Sequence, residues 1–407
     1  MQNIIPLICV VFFSTIASMM VSTTLPTFLV EDLNLTYQQI GTIEGWAVFS
    51  AFVSKFFSGY ASDKIQKRKI FVVSGTALSI LSKGCFALTT GTVSIFIVKI
   101  FDRIAKGLRS CPSDAMLAEA TVEKNRSFFY GAKYMLFAGG AMCGGYFAHI
   151  LLKLLGNKFR LVFLLSLIPA IVAFFISKRL VKDPQIIAAK TQGLETAADT
   201  FATPPNSLNS LNFSKFFWKF LLAAAFLMFA RFSESFLIIK ARRVGFAIES
   251  IPLIAALYNL CAFGSALFTS LISRRIRKET LLKGSIVVQA IAHIVTFFAQ
   301  TEQCVTASGI LFGLHIGMSQ VTLLAMVSGL AQKNNIATAF SVYYIVVAFS
   351  LLLSNILAGK LNTFFDSPSV AFAGGATFSI FSFCLLNMLT KSKRHSAGHQ
   401  TAENPPL

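Results

Sequence analysis

Twelve stretches of about 20 predominantly apolar residues follow one another along this chain, and no other feature bounds its fold so tightly. They lie at roughly 3–30, 38–61, 70–90, 92–110, 129–155, 159–178, 216–240, 250–273, 280–300, 303–328, 336–360 and 367–390. At about 1.5 Å of rise per residue, a helix of this length crosses the hydrocarbon layer of a bilayer. Closed barrels are the other structure that hides backbone polar groups from lipid, but their strands alternate over about ten residues. These stretches are longer and apolar throughout. The chain is 55% hydrophobic and 13% charged, where a soluble domain carries about 25% charge. An all-α membrane protein with twelve transmembrane helices is therefore predicted. The first stretch lacks a basic run before it and a small-residue cleavage site after it, so it reads as a span rather than a removable signal peptide.

The net charge of +19 does not call for nucleic acid, because basic loops are how membrane proteins fix their orientation. KIQKRK (64–69), KNR (124–126), KRLVK (178–182), RRIRK (274–278) and KSKR (391–394) all fall on one side of the predicted topology. The other side keeps chiefly Lys153, Lys158, Arg160, Lys240, Arg242 and Arg243. This bias predicts that both termini are cytoplasmic. The seven cysteines are scattered without CxxC or metal spacing, and the five histidines form no HExxH. No metal or other cofactor is expected. With GxSxG also absent, neither is an enzyme, and no filter-like sequence interrupts the spans to indicate a channel.

The longest polar segment, 179–214, holds PQ, TPPN and SLNSLN and reads as a cytoplasmic linker. It divides the chain into an N-terminal six-helix bundle (1–178), a C-terminal six-helix bundle (215–390) and a cytoplasmic tail (391–407). The halves keep a trace of repetition. GYASDKIQKRK (59–69) follows the second span and SLISRRIRKET (270–280) the eighth. A shift of 211 residues sets Gly59 on Ser270, Asp63 on Arg274, Lys64 on Arg275 and Lys67 on Lys278.

GYASDKIQKRK resembles the loop signature of the major facilitator superfamily, and FDRIAKGLR its fourth-span signature. A longer match is to a bacterial branch of that superfamily. It comprises Glu44-Gly45, Lys55, Ser58-Gly59, Ser82-Lys83 and the D-R-x-x-K-G-x-R-x-x-P-x-D-A run over 102–115. RFSESFLIIKARRVGF (231–246) and LFGLHIGMSQ (311–320) resemble the corresponding parts of its second half. The likeness covers all twelve spans. It implies two pseudo-symmetric bundles and transport by alternating access. One departure is the fifth span, AGGAMCGGYFAHI (138–150), which lacks the proline of the GxxxGPxxGG found in many antiporters.

Gly59 allows close helix approach. The resemblance places Asp63 beside the N-terminus of the eleventh span, near Asn335 and Ile336. A carboxylate there meets the positive end of a helix dipole, worth about 0.3–1 kcal/mol when exposed and up to about 2 partly buried. Such a contact works as a latch that breaks as the transporter changes state. Lys64, Lys67, Arg68 and Lys69 either pair with Glu119 or Glu123 or only set topology. In the other half Arg274 has the wrong sign for a helix N-terminus, so the latch is expected to be one-sided.

Ionisable groups deep in a membrane cost at least about 2.5–3.5 kcal/mol each, so they pair or face water. Asp102, Lys106 and Arg109 share one stripe of the fourth span, with Lys99 a turn before. They are expected to form a salt-bridged seam, with snorkelling of Lys106 and Arg109 as the alternative. Arg103 points about 100° away, toward a central cavity. Arg231 and Glu234, three apart, can meet as an ion pair or serve a substrate. The resemblance puts spans one, four, seven and ten around the cavity. Arg103, Arg231, Glu234, His315 and Gln320 are accordingly the substrate or coupling candidates, joined by Glu44 and Lys83. Glu44 and Glu234 are the carboxyls available to carry a proton. Lys55 and Lys133 add further deep cations, and Tyr343 and Tyr344 offer hydroxyls. Deep cations outnumber deep anions, favouring an anionic or zwitterionic solute. The expectation is a monomeric secondary transporter of a small polar or anionic solute, in contact with the lipid bilayer. The alternatives are proton-coupled efflux of drugs or other organic compounds, and a transporter-fold sensor or scaffold that carries nothing.

Overall fold

A computed structural model describes residues 4–65, 67–119, 123–182, 213–273, 275–330 and 336–403. The described residues form helices throughout. In the first half these are α1 (Ile4–Ser22), α2 (Leu25–Glu31), α3 (Tyr37–Ile65), α4 (Arg68–Leu88), α5 (Thr92–Glu119), α6 (Glu123–Leu154), α7 (Phe159–Leu165) and α8 (Leu167–Arg179). The second half contains α9 (Lys215–Phe229), α10 (Ser235–Val244), α11 (Ile251–Ile272), α12 (Lys278–Phe298), α13 (Glu302–Leu330), α14 (Ile336–Phe364) and α15 (Val370–Glu403).

Among the described residues, three pairs of short helices continue one another. Between α1 and α2 the hydroxyls of Thr23 and Thr24 donate back to the carbonyls of Met19 and Met20 at 2.7 and 2.8 Å, and Pro26 starts the second piece. Ser166 joins α7 to α8. The third pair, α9 and α10, is separated by residues 230–234. Of the rods described, nine are apolar and long enough to cross a membrane by length and composition. Outside those nine stand α3, α5 and the α9–α10 pair. For α5 the reason is its run of charge, for α9–α10 the interruption. The sequence boundary of the fourth span falls nine residues short, since α5 continues through Pro112 to Glu119.

Within the first half, α5 packs on α3 and α4, and α1 on α6 and α8; within the second, α13 packs on α11 and α12, and α15 on α9 and α12. Two crossings join the halves, α3 with α14 and α6 with α11. Small residues allow both. A Cβ on Gly41 would collide with the Asn355 carbonyl oxygen, and one on Gly145 would stand 2.9 Å from that of Pro252.

Further contacts close the end of the molecule remote from the chain termini. The Glu31 carboxylate on α2 accepts from Arg242 Nε on α10 at 2.6 Å. The Gln38 backbone N–H donates to Thr363 Oγ1 at 2.8 Å. Ile239 of the second half is buried in an apolar cluster built mainly from the first, around Phe28, Leu29 and Phe163, and Ile248 packs against it.

Candidate functional site

The charges of α5 find their partners on other helices. Asp102 Oδ1 accepts from Lys83 Nζ at 3.2 Å and from Ser82 Oγ at 3.1 Å, both on α4. Lys83 is fully buried and also donates to Ser79 Oγ at 2.7 Å. This corrects two expectations. The Asp102–Lys106–Arg109 seam does not form: Lys106 sits over the Phe137 ring at 6.0 Å, and Arg109 packs beside Gly75. Lys83 is an internal partner of the first half rather than a substrate candidate facing the second. An i,i+4 pair adds only about 0.2–0.5 kcal/mol, whereas a dehydrated lysine without a carboxylate carries a penalty of several. Asp102 therefore goes to the cation that water cannot reach.

A second buried pair also lies within the first half and is tied to the second. The Glu44 carboxylate, 2% exposed on α3, accepts from Lys99 Nζ on α5 and from Ser235 Oγ on α10. Ser235 opens α10, so this anion rests on the positive end of a helix in the opposite half. Ser235 was not anticipated from sequence. A deep acid and a deep base on neighbouring spans were the available signal for Glu44 and Lys99; nothing local marked the hydroxyl.

The remaining candidates are Arg103, Glu234, Arg231, Gln320 and His315. Arg103 is partly exposed, and its buried Nε has no hydrogen-bond partner among the described residues. Glu234, also partly exposed, lies within electrostatic reach of Arg103, Glu44, Lys106 and Lys99. The Arg231 guanidinium donates to the Gln320 side-chain oxygen at 3.0 and 3.3 Å once that amide is turned to face it. Gln320 is exposed in mid-α13. Of the two readings open to Arg231 and Glu234, the ion pair does not form among the described residues, because the i,i+3 geometry it needs is lost where the helix breaks at 230–234. His315 is also placed differently. It is 1% exposed, and its Nδ1–H donates to the Ser285 carbonyl at 2.8 Å inside the second half.

Lys55 lies over the Phe52 ring at 5.8 Å, and Lys133 pairs with Asp114. Tyr343 is buried, and Tyr344 packs its ring on Phe52 of the first half at 5.9 Å. For the expected latch, Gly59 brings α3 against α5, since a Cβ there would meet Cys111 Sγ at 2.8 Å. Lys64 is exposed and Arg68 partly so. The side chains of Asp63, Glu119, Glu123 and Ile336 lie outside the described residues, as do Arg274, Asn335 and most of the 179–214 linker.

Buried cations and carboxylates on packed helices, most of which are long and apolar enough to cross a membrane, define the interior of a polytopic membrane protein. The sequence model of the Major Facilitator Superfamily matches residues 7–354, and the chain belongs to that superfamily. It is an integral multi-pass membrane protein of a transporter family. Among curated proteins it is similar to "Uncharacterized MFS-type transporter MJ1317" of Methanocaldococcus jannaschii, 24% identical over 381 residues and covering 92% of each chain. Its fold resembles that of the nucleoside transporter NupG, with a TM-score of 0.74 at 15% identity over 96% of this chain and 99% of that one. It also resembles a POT family transporter in complex with a thioalcohol-conjugated peptide, with a TM-score of 0.77 at 13% identity over 96% of both chains.

Proposed function

We propose that the chain is a secondary active transporter of a small anionic or zwitterionic solute, bound between the halves at the level of Arg103, Arg231 and Glu234. The carrying observation is the charge balance there. Lys83 is matched by Asp102, Lys99 by Glu44 and Lys133 by Asp114. Among the described residues, Arg103 and Lys106 then have Glu234 as the remaining carboxylate in electrostatic reach, and Arg231 is turned to the neutral Gln320, a local excess of cation that a bound anion would relieve. A zwitterion would set its acid group on the arginines and its ammonium on Glu234.

The bodies that rock are residues 1–178 and 215–390, with the termini in the cytoplasm of a bacterial cell. The state described has the remote end closed. Release of the Glu44–Ser235 contact accompanies opening of that end, which makes Glu44 the carboxyl best placed to couple a proton to the movement. That contact also keeps proton-coupled efflux as the second reading.

The test is a thermal-shift screen of the purified protein against inorganic phosphate, dicarboxylates, amino acids and neutral sugars, since a ligand stabilises the state it binds. Stabilisers are then followed as flux in proteoliposomes with and without a pH gradient. Anions or zwitterions should stabilise the wild type and lose that effect in Arg103→Gln. Equal stabilisation of both proteins by neutral sugars would sink the charge argument. A scaffold that carries nothing would show no flux with any stabiliser.

A further inference from the structure

The break between α9 and α10 is held by three side chains of the second half. In a continuous helix the Phe229 carbonyl would accept from the Ser233 N–H, and the Ala230 carbonyl from the Glu234 N–H. Neither bond forms. The Phe229 carbonyl accepts instead from Ser354 Oγ at 2.7 Å, and the Ser233 N–H donates to Asn355 Oδ1 at 2.8 Å. Adjacent residues of α14 thus take the two ends of one helical hydrogen bond. The Ala230 carbonyl accepts from His293 Nε2 of α12 at 2.8 Å, which places a proton on Nε2.

These groups have little freedom to do anything else. Ser354, Asn355 and His293 are all at most 2% exposed. Asn355 is anchored by its own amide, which donates to the Leu351 carbonyl at 2.7 Å. The His293 ring is boxed by Phe232, Phe312 and Phe372, with centroids 5.3, 4.9 and 6.0 Å away. It fits only because residue 375 is glycine, where a Cβ would run into the ring. Unmet backbone groups in a membrane interior are costly, so a break of this kind persists only where side chains meet them.

We propose that Ser354, Asn355 and His293 are positioning residues: they hold this span open at 230–234 and so aim Arg231 and Glu234 at the solute. The role in positioning rests on the transport reading above; the clamp on the backbone does not. Asn355 is also the residue whose carbonyl faces Gly41 at the α3–α14 crossing. Movement of the first half along α14 therefore bears on Asn355, one of the three residues that keep the break open, linking the closing of the molecule to the set of the solute-binding arginine and glutamate.

Hydrogen–deuterium exchange on the purified full-length protein tests the clamp without any substrate. In His293→Phe, which keeps ring volume but not the donor, and in Ser354→Ala, exchange at the amides of 231–235 should change about tenfold, the effect of one buried hydrogen bond. Faster exchange means a loosened segment and slower exchange a helix that has closed up; either supports the clamp. Peptides from α11 should exchange as in the wild type. His293→Gln, which keeps an N–H at similar reach, should restore the wild-type pattern. Unchanged exchange at 231–235 in both variants overturns the proposal. So does a uniform rise through the second half that His293→Gln fails to rescue. Failure to find a transported solute would leave these exchange results standing and count against the transport reading alone.

Discussion

Glu44 and Lys99 illustrate how a charge becomes tolerable in hydrocarbon. Each is at most 5% exposed, and each is acceptable only because the other is there. Lys99→Met should destabilise the protein by about 3–5 kcal/mol, since it strands a dehydrated carboxylate. Adding Glu44→Gln should recover most of that loss in a thermal unfolding series, because a neutral pair leaves no buried charge. Arg103 should behave in the opposite way. Its Nε already lacks a partner, so Arg103→Gln should leave the melting temperature within about 3 °C of wild type. Its flux in proteoliposomes should fall at least about tenfold if the side chain meets the solute directly. The depth of these residues was legible in the sequence, since charge stood inside apolar runs. Their pairing was not. Asp102 offered two cations on its own stripe, and the fold gave it a third from α4.

Helices carry a different lesson. Length and hydropathy located the spans because the bilayer imposes one length on all of them. The interruption at 230–234 had no such mark: it contains neither proline nor glycine, and the residues that open it lie more than 60 positions away in the chain. The close crossings were half visible. Glycine in a span signals close approach, but not which helix approaches. At Gly41 the approaching group is backbone of the opposite half, so Gly41→Val should push α3 from α14 and disfavour closure of the remote end, with less effect on either half's own packing. A bifunctional thiol reagent of short reach, applied to Cys replacements of Glu31 and Arg242, should cross-link this variant at least about tenfold more slowly, the equivalent of about 1.4 kcal/mol against the closed form. An unaltered rate would show that the crossing does not govern closure.

The two halves meet through α3–α14, α6–α11 and the Glu31–Arg242 contact, and the candidate solute site lies between them. The proposed alternating access parts those contacts in every cycle. A cross-link between Cys replacements of Glu31 and Arg242 should therefore abolish flux, and a reducible reagent should allow recovery once cleaved. Continued transport by the fully cross-linked protein would mean that this end does not open during the cycle.

What sequence fixes here is what lipid selects on: that the chain crosses a membrane as helices, roughly where each helix runs, and that charges at certain depths need company. These follow from one-dimensional rules, because the cost of exposing a peptide group or a charge to hydrocarbon depends on length and composition alone. Which charges pair, where a span unwinds and which group remains unmatched came only from the packed molecule. Those outcomes turn on contacts of about 3 Å between residues far apart in the chain, and no local pattern encodes the partner.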